Sequence, residues 1–360
     1  METELLSTDT PELLALAELR AVETLSRGEL VALPTETVYG LAADALRLEA
    51  VVKIFEAKER PFFDPLICHL PSHEWLERMA EIPEESRAFV DALVQRFWPG
   101  PLTLVLPRRK IVPDVVTSGL ETVALRMSAH PVFRQIVSRF GKPLSAPSAN
   151  RFGRISPTAA AHVVTELGGR IPLVVDGGAT AHGIESTIVA VESGKLRLLR
   201  AGPITPEDLG GVWMEICQAR REIPSEQEVE AFFNRLGVSH GAMRAGSKEI
   251  AMEAPGQMKS HYAPRTPLRL IERGTHVHFP GRIGQLVYRG APDEGDFLHT
   301  EVLSPSGDLR EAAATLFAKL RRLDEAGLDL IVAEAVPERG LGIAIMDRLR
   351  KAAAGSTENH

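Results

Sequence analysis

Apolar residues at Leu13, Leu14, Leu16, Leu19, Val22 and Leu25 recur at helical spacing, after Asp9-Thr10-Pro11 and before Gly28. That pattern predicts a helix capped by Asp9 or Thr10, opened by Pro11 and ended by the glycine. A continuous apolar run over 30–33 reads as a short buried strand. The polar turn Pro34-Thr35-Glu36-Thr37 interrupts it and leads into Val38-Tyr39-Gly40-Leu41. Helical spacing returns at Val51, Val52, Ile54 and Phe55 and runs to Lys58-Glu59-Arg60, where Pro61 stops it. Strands are predicted over 66–70, 102–106, 123–126, 173–175, 187–191 and 196–199, with helices over 85–97, 131–140 and 158–167. This mixture implies an α/β domain spanning 1–210.

Beyond it the pattern changes. Residues 211–266 hold a polar helical stretch near 226–236, then Gly241 to Ser247, then Ala254-Pro255-Gly256-Gln257-Met258-Lys259-Ser260-His261-Tyr262-Ala263-Pro264. This reads as a linker, although its aromatic and cationic residues exceed what a spacer requires. A compact βα pattern occupies 267–354, with strands over 268–271, 283–288 and 328–333 and helices over 309–323 and 341–353. It suggests a small Rossmann-like domain, but no GxGxxG follows any strand, so a dinucleotide pocket has no support there. Residues 355–360 read as a polar tail, and no repeats are found.

Composition narrows the class. The chain has 360 residues, 44% hydrophobic and 25% charged, and a net charge of −7. That length suits two domains with their own cores, and the acidic balance argues against a general grip on nucleic acid while leaving room for a local basic groove. Cys68 and Cys217 are the two cysteines and neither sits in a CxxC, which removes disulfide frameworks and cysteine-ligated zinc. The acidic N-terminus is unlike a signal peptide, and no apolar run approaches the ~20 residues of a membrane span. A cytoplasmic protein without membrane contact is expected.

Lys58 and Arg60, beside a rigid turn in an acidic protein, mark an anion site. Arg126 ends an alternating strand pattern: a solvated edge arginine and a fork for carboxylate or phosphate both fit. Small hydroxyl and amide residues gather in Ser145-Ala146-Pro147-Ser148-Ala149-Asn150, in Ser156-Pro157-Thr158 and in Gly183-Ile184-Glu185-Ser186-Thr187. Turn chemistry and helix caps explain each alone, yet such clusters also bring backbone N–H groups to phosphates. Cys68 beside His69 resembles a nucleophile pair, but neighbouring strand residues face opposite sides, so a buried inert thiol is the preferred reading. His162, His182, His276 and His278 are scattered and read as surface or packing residues, Trp98 and Phe97 as core, and Glu36 as a helix-capping acid ahead of a general base.

Leu33 to Leu41, Lys58-Glu59-Arg60-Pro61, Phe97-Trp98-Pro99-Gly100-Pro101-Leu102-Thr103, Ala124-Leu125-Arg126, Ser145 to Asn150 and Gly183 to Thr187, taken together, resemble the YrdC/Sua5 family. The stretch Lys259 to Pro264 is similar to the two-domain Sua5 branch. The resemblance implies a twisted mixed sheet with a large concave cavity, a linker closing over it, and a smaller Rossmann-like domain. It further implies synthesis of threonylcarbamoyl-AMP and pyrophosphate from L-threonine, bicarbonate and ATP with Mg²⁺. The product would feed the threonylcarbamoyl-transferase machinery that modifies adenosine in tRNAs reading codons that begin with A.

Carried over by position, the resemblance implies that Lys58 and Arg60 are catalytic, neutralising the triphosphate and the charge of adenylyl transfer. ATP contacts fall also on Asp64, Thr122, Ser148, Asn150, Ser156, Arg200 and Tyr262. L-threonine contacts fall on Thr37, His69, Arg126, Ala146 and Ser186. Because a carbamate attacks phosphorus, positioning and charge stabilisation suffice and no protein nucleophile is required. Mg²⁺ is expected to ride on the phosphates, with no metal ligand assigned to the protein. Three departures stand out: Asp64 in place of the usual Asn before Pro65-Leu66, Gln257 inserted into a Gly-Met-Lys motif, and Arg200-Ala201-Gly202 for Arg-Pro-Gly. Two other readings remain: a carbamoyltransferase of hydrogenase maturation, which would want cysteine-rich zinc modules, and a weak RNA-binding module using the cavity.

Overall fold

The computed structural model describes residues 1–237, 252–258, 260–273, 275, 279–290 and 297–355. Lys259, His276, His278, the Gly241 to Ser247 stretch and most of the polar tail lie outside the described residues. The first helix, Pro11–Ser26, forms as its pattern dictates: the Thr10 side chain accepts from the Leu13 N–H, and Pro11 fills the first turn, where no donor is needed. Gly28 follows with φ 76°, a conformation that costs glycine nothing.

A ten-stranded mixed sheet carries the larger part of the described residues. From one edge it runs Glu4–Ser7, Leu173–Asp176, Val31–Leu33, Gly40–Asp44 and Leu144–Ser145, then Ile67–His69, Thr122–Arg126, Leu102–Pro107, Thr187–Glu192 and Lys195–Arg200. Helices Leu48–Lys58 and Glu84–Phe97 cover one face and bury Ile54, Phe55, Phe89 and Val90 in the main core. Helices Pro11–Ser26 and Pro131–Phe140 bury Ala21, Leu25, Phe133 and Ile136 in a second cluster. The strands Glu4–Ser7, Gly40–Asp44 and Leu144–Ser145 escape pattern reading: the first is an edge strand, the second is built largely of small residues, and the third is two residues long.

Residues 211–237 are not a spacer. Helices Pro206–Ala219 and Glu226–Arg235 fill most of this stretch, each opened by a reciprocal capping box, Thr205 with Asp208 and Ser225 with Glu228. Their Leu209, Val212, Ile216 and Phe232 complete the main core of the first domain. The pair Gly210-Gly211 reads as a breaker, yet a Cβ at Gly210 would lie 2.8 Å from the Phe233 ring, so that glycine is what lets the two helices close.

A separate sheet of four parallel strands follows, ordered Leu268–Ile271, Leu330–Glu334, Ile283–Val287 and His299–Val302. Helices Leu309–Glu325 and Leu341–Ala354 pack on it and on each other. Its core cluster does not stop at its own strands: Val38, Ile155 and Ile184 of the larger domain and Tyr262 belong to the same buried group as Phe317 and Ile345. Arg321 clamps the seam by pairing with Glu166 at 3.1 Å and donating to the Ile155 carbonyl. Among the described residues no helix is long and apolar enough to cross a membrane.

Gly183 sets how near the domains come. At φ 68° it lies under helix Leu309–Glu325, where an added Cβ would stand 2.3 Å from the Ala314 carbonyl oxygen and 2.6 Å from that of Ala313. Gly183→Ala therefore adds a backbone clash to left-handed strain and is expected to cost about 1–3 kcal/mol. Gly119→Ala, with similar φ and nothing within 4 Å, bears strain alone and should cost clearly less in a urea unfolding series. Equal midpoints for the two variants would contradict this account.

Candidate active site

The turn after strand Val31–Leu33 is organised by one hydroxyl. Thr35 Oγ1 accepts from the Thr37 and Val38 N–H groups at 3.1 and 3.2 Å and donates to the Val38 carbonyl at 2.6 Å. That geometry presents Thr37 Oγ1 to Arg126, whose Nη1 donates to it at 3.0 Å. Arg126 stands beside His69 and Thr103 in the strand register and also donates from Nε to the Gly100 carbonyl at 3.2 Å. Its Nη2 lies 2.7 Å from Glu36 Oε1 without an aligned hydrogen bond, so this contact is an ion pair. The edge-arginine alternative is excluded, because Arg126 is buried.

Glu36 is not a helix cap: no helix follows it, and its second oxygen accepts from Ser128 Oγ at 2.5 Å. Burial pushes its carboxyl up, but Arg126 and the Ser128 hydroxyl outweigh that and bring it down to about 2. His69 is wholly buried against Phe133, with ring centroids 4.8 Å apart. Burial and then the Arg126 charge push its imidazole down to about 3, so it is neutral at ordinary pH. Cys68, on the opposite side of the strand, is buried with its thiol raised to about 12 by burial, an inert group as expected.

A second wall forms where helix Leu48–Lys58 ends. Lys58 Nζ donates to the carbonyls of Ser148 and Asn150, both at 2.5 Å. Burial, then the neighbouring Arg60 charge, lowers the Lys58 amine well below its usual value. Arg60 donates to the Asp64 and Pro65 carbonyls at 3.2 and 2.9 Å and pairs with the Asp64 carboxylate at 2.8 Å. Asp64 thus meets Arg60, and burial raises its carboxyl. Neither of its carboxylate oxygens has an aligned hydrogen bond. Backbone bonds from Leu41 to Pro147 and from Ala149 to Tyr39 hold the 146–149 segment against the turn.

The third wall is Arg200. It donates from Nε to the Ser186 carbonyl and from Nη2 to Ser186 Oγ, both at 3.0 Å, and that hydroxyl meets Thr103 Oγ1 at 2.8 Å. Segment 254–262 closes the fourth side: Arg200 Nη1 reaches the Pro255 carbonyl at 3.4 Å, and Ala254 packs on Ile67, Ala124 and Ile188. Tyr262 is buried at φ 63°, and its hydroxyl has no hydrogen-bond partner. Gly256 at φ 81° lets that hydroxyl approach, since a Cβ there would stand 2.6 Å from it.

These walls enclose a chamber of about 40 Å³. Of the residues singled out from sequence, Thr37, Arg60, His69, Arg126 and Ala146 line it, as do Ser148, Ser186, Arg200 and Tyr262. Lys58, Asp64 and Ser156 stand one contact behind, through Ser148, Arg60 and Glu185 respectively, and Asn150 stands behind Lys58. Thr122 does not line the chamber: it pairs with Pro107 at the far end of the strand from Arg126. Sequence reasoning missed Glu185, Gly256 and His261 as lining residues, although all three sit in motifs it quoted. The chamber is smaller than the large cavity expected from sequence, and Pro255, Gly256, His261 and Tyr262 form one of its walls.

Among the described residues, Arg60 and Arg126 each have a carboxylate within ion-pair distance, whereas Lys58 and Arg200 have none. A buried amine and a buried guanidinium held by carbonyls and a hydroxyl, without a carboxylate among the described residues, leave room for an anion to compensate their charge. No group of three or more His, Cys, Asp or Glu side chains among the described residues could by itself hold a metal.

A mixed-sheet domain with such a chamber, joined to a small parallel-sheet domain, has close counterparts. Residues 23–202 match the Sua5/YciO/YrdC family model, described as Telomere recombination, and residues 217–354 match that of the threonylcarbamoyl-AMP synthase C-terminal domain. Threonylcarbamoyl-AMP synthase of Pyrococcus abyssi is 41% identical over 337 residues, covering 91% of this chain and 91% of the relative. That of Bacillus subtilis is 39% identical over 372 residues, covering 98% and 96%. The crystal structure of P. abyssi Sua5 complexed with L-threonine superposes with a TM-score of 0.81 at 37% identity, covering 99% and 98% of the two chains. The fold is thus that of the YrdC-like class. Within it, this chain belongs to the two-domain threonylcarbamoyl-AMP synthase family.

The folded His69 value lies below the 6.5 of a free imidazole. The unfolded chain therefore binds the extra proton between about pH 6.5 and 3, and the stability His69 contributes above that window is lost as pH falls through it. Glu36 acts lower, between 4.5 and about 2. His69→Asn should make the fall of unfolding free energy over pH 6 to 4 shallower, by up to about 1.4 kcal/mol per pH unit. Urea titrations at several pH values test this, and an unchanged slope would refute a neutral buried imidazole.

Proposed function

We propose that the chamber is where this chain converts ATP, bicarbonate and L-threonine into L-threonylcarbamoyladenylate, pyrophosphate and water. The observation that carries this reading is the buried Arg200 guanidinium, without a carboxylate partner among the described residues, lining a chamber with the hydroxyls of Thr37 and Ser186 and backed by the Lys58 amine, in a member of this family. The threonine amine joins the carbon of bicarbonate with loss of water, a carbamate oxygen attacks the α-phosphorus, and pyrophosphate leaves. Such transfer depends on positioning and on charge aimed at the oxygens, not on a protein nucleophile.

Lys58, Arg60 and Arg200 then take the triphosphate charge, with Ser148, Asn150 and Ser156 shaping the loops around it. A triphosphate would restore the Lys58 amine toward full protonation, since an anion favours the charged form. Arg126 forks onto the threonine carboxylate and shares its charge with Glu36, which fixes the guanidinium plane beforehand. Thr37, neutral His69, Ser186 and the Ala146 backbone surround the rest of the amino acid. Hydrogen bonding to its hydroxyl supplies the selectivity that apolar fit lacks. The L-threonine complex of the P. abyssi relative supports that assignment of substrate.

Asp64 does not suit Mg²⁺, since it is buried behind Arg60 and paired with it. Mg²⁺ would arrive on the phosphates of ATP, the usual manner of that ion. Bound there, Mg²⁺ would neutralise phosphate charge. Pockets that hold ligands of this size measure about 300–1,000 Å³. The chamber of about 40 Å³ therefore has to open, and segment 254–262 is the wall that moves, closing again to keep water from carbamate and adenylate. The adenylate is then handed to the enzymes that threonylcarbamoylate tRNA.

Pyrophosphate release from ATP and Mg²⁺ should require both bicarbonate and L-threonine, with serine and valine poor substitutes. Lys58→Ala should lower kcat/KM at least about 100-fold while the protein stays folded. Amino-acid-independent release, or none from a folded ATP-binding protein, would reject the synthase reading and favour carbamoyl transfer or RNA binding.

A further inference from the structure

The last helix of the second domain turns one arginine inward. Arg348 is the largest fully buried side chain among the described residues, at 0% exposure. Its Nε donates to Glu185 Oε2 at 3.0 Å, and its Nη1 donates to Asp347 Oδ2 at 2.7 Å. Its guanidinium carbon lies 5.2 Å from the centre of the Tyr262 ring, within cation–π range. The other Glu185 oxygen accepts from Ser156 Oγ at 2.5 Å. Glu185 and Tyr262 both line the chamber, so Arg348 touches two of its walls from another domain.

One turn further along the helix, Lys351 donates to the Gly256 carbonyl at 2.8 Å and pairs with Asp347 at 2.7 Å. Asp347 therefore keeps a cation partner whether or not Arg348 is present. Glu185 has Arg348 as its ion-pair partner among the described residues. An ion pair buried this deeply is seldom the best use of the space for stability alone, because apolar replacement of both members is often neutral or better. Its location suggests a different use: a carboxylate in the chamber wall repels a triphosphate unless a fixed cation neutralises it.

We propose that Arg348 is a positioning residue of the adenylation site: it neutralises and orients Glu185 and seats Tyr262, so that the second domain completes the ATP-binding half of the chamber. This rests on the chamber being the ATP site. The domain is then part of the active site in the same chain, and its loss would leave an anion where the nucleotide binds.

The test is a two-residue cycle read by equilibrium ATP affinity in the presence of Mg²⁺, with KM for ATP and kcat measured alongside. Arg348→Met preserves length and apolar contact but leaves Glu185 unpaired, and it should weaken ATP binding about 10-fold or more, raising KM for ATP more than it lowers kcat. Adding Glu185→Gln removes the second charge and should recover most of that loss, to within about threefold of the unmodified chain, which a role in packing alone would not allow. Arg348→Lys should fall between. If Arg348→Met does not fold, the double variant still decides, since it buries no unpaired charge. Unchanged ATP affinity in Arg348→Met, or a folded double variant bound 10-fold or more weakly, would overturn the proposal. An unmodified chain that binds ATP yet releases no threonine-dependent pyrophosphate would reject the synthase reading, while the affinity cycle would still judge Arg348.

Discussion

Charge withdrawn from water must be compensated close by, and the organisation of this chain follows from how that is done around one chamber. Arg60 is matched by Asp64, Arg126 by Glu36 and Arg348 by Glu185 and Asp347. Lys58 and Arg200 are matched only by carbonyl and hydroxyl oxygens. Isolated buried ions of this kind are costly, and their cost is lowered when an anion arrives. Arg200 thus carries a positive charge with no carboxylate partner among the described residues, inside a molecule whose net charge is −7, and the Lys58 amine gains one when an anion enters. Arg200 lies in the chamber wall and Lys58 one contact behind it, within reach of the charge of a bound triphosphate.

The same requirement explains why the two domains are not beads on a string. Segment 254–262 lies between them and is held from both sides: Arg200 contacts Pro255, Lys351 contacts Gly256, and the Ala263 N–H bonds to the Gly153 carbonyl. The smaller domain's apolar cluster includes Tyr262, Val38 and Ile184, so its core is continuous with the chamber wall. Any displacement of this segment would disturb packing in both domains.

Much of this is legible without the fold. Helices with clear caps, such as Pro11–Ser26, and strands with strong β character, such as Thr187–Glu192, follow directly from spacing. Motifs carry Lys58, Arg60, Arg126, Ser186 and Arg200 to one place because each lies at or beside the end of a strand or helix, and the sheet gathers those ends; Tyr262 reaches it from the segment between the domains. What stays hidden depends on partners distant in sequence. Arg348 sits in an amphipathic helix among Arg350 and Lys351 and looks like one more solvated cation. Glu36 resembles a cap because nothing local announces Ser128 or Arg126. Gly210 looks like a helix breaker because the Phe233 ring above it is 23 residues on. Thr122 shares a strand with Arg126, but four residues of extended chain carry it away from the chamber.

The two carbonyls around Lys58 have a thermodynamic consequence. They hydrogen-bond the amine while burial and the Arg60 charge favour its neutral form and the more distant Asp64 and Glu166 oppose them, so proton occupancy at this nitrogen depends on what else is present. A polyanion entering beside it shifts that occupancy upward. Nucleotide uptake and proton uptake thereby become one linked equilibrium: the heat of binding would carry a contribution from the ionisation of the surrounding buffer. The grip on nucleotide would also weaken as the solution becomes more alkaline, long before any arginine in the chamber could lose its charge.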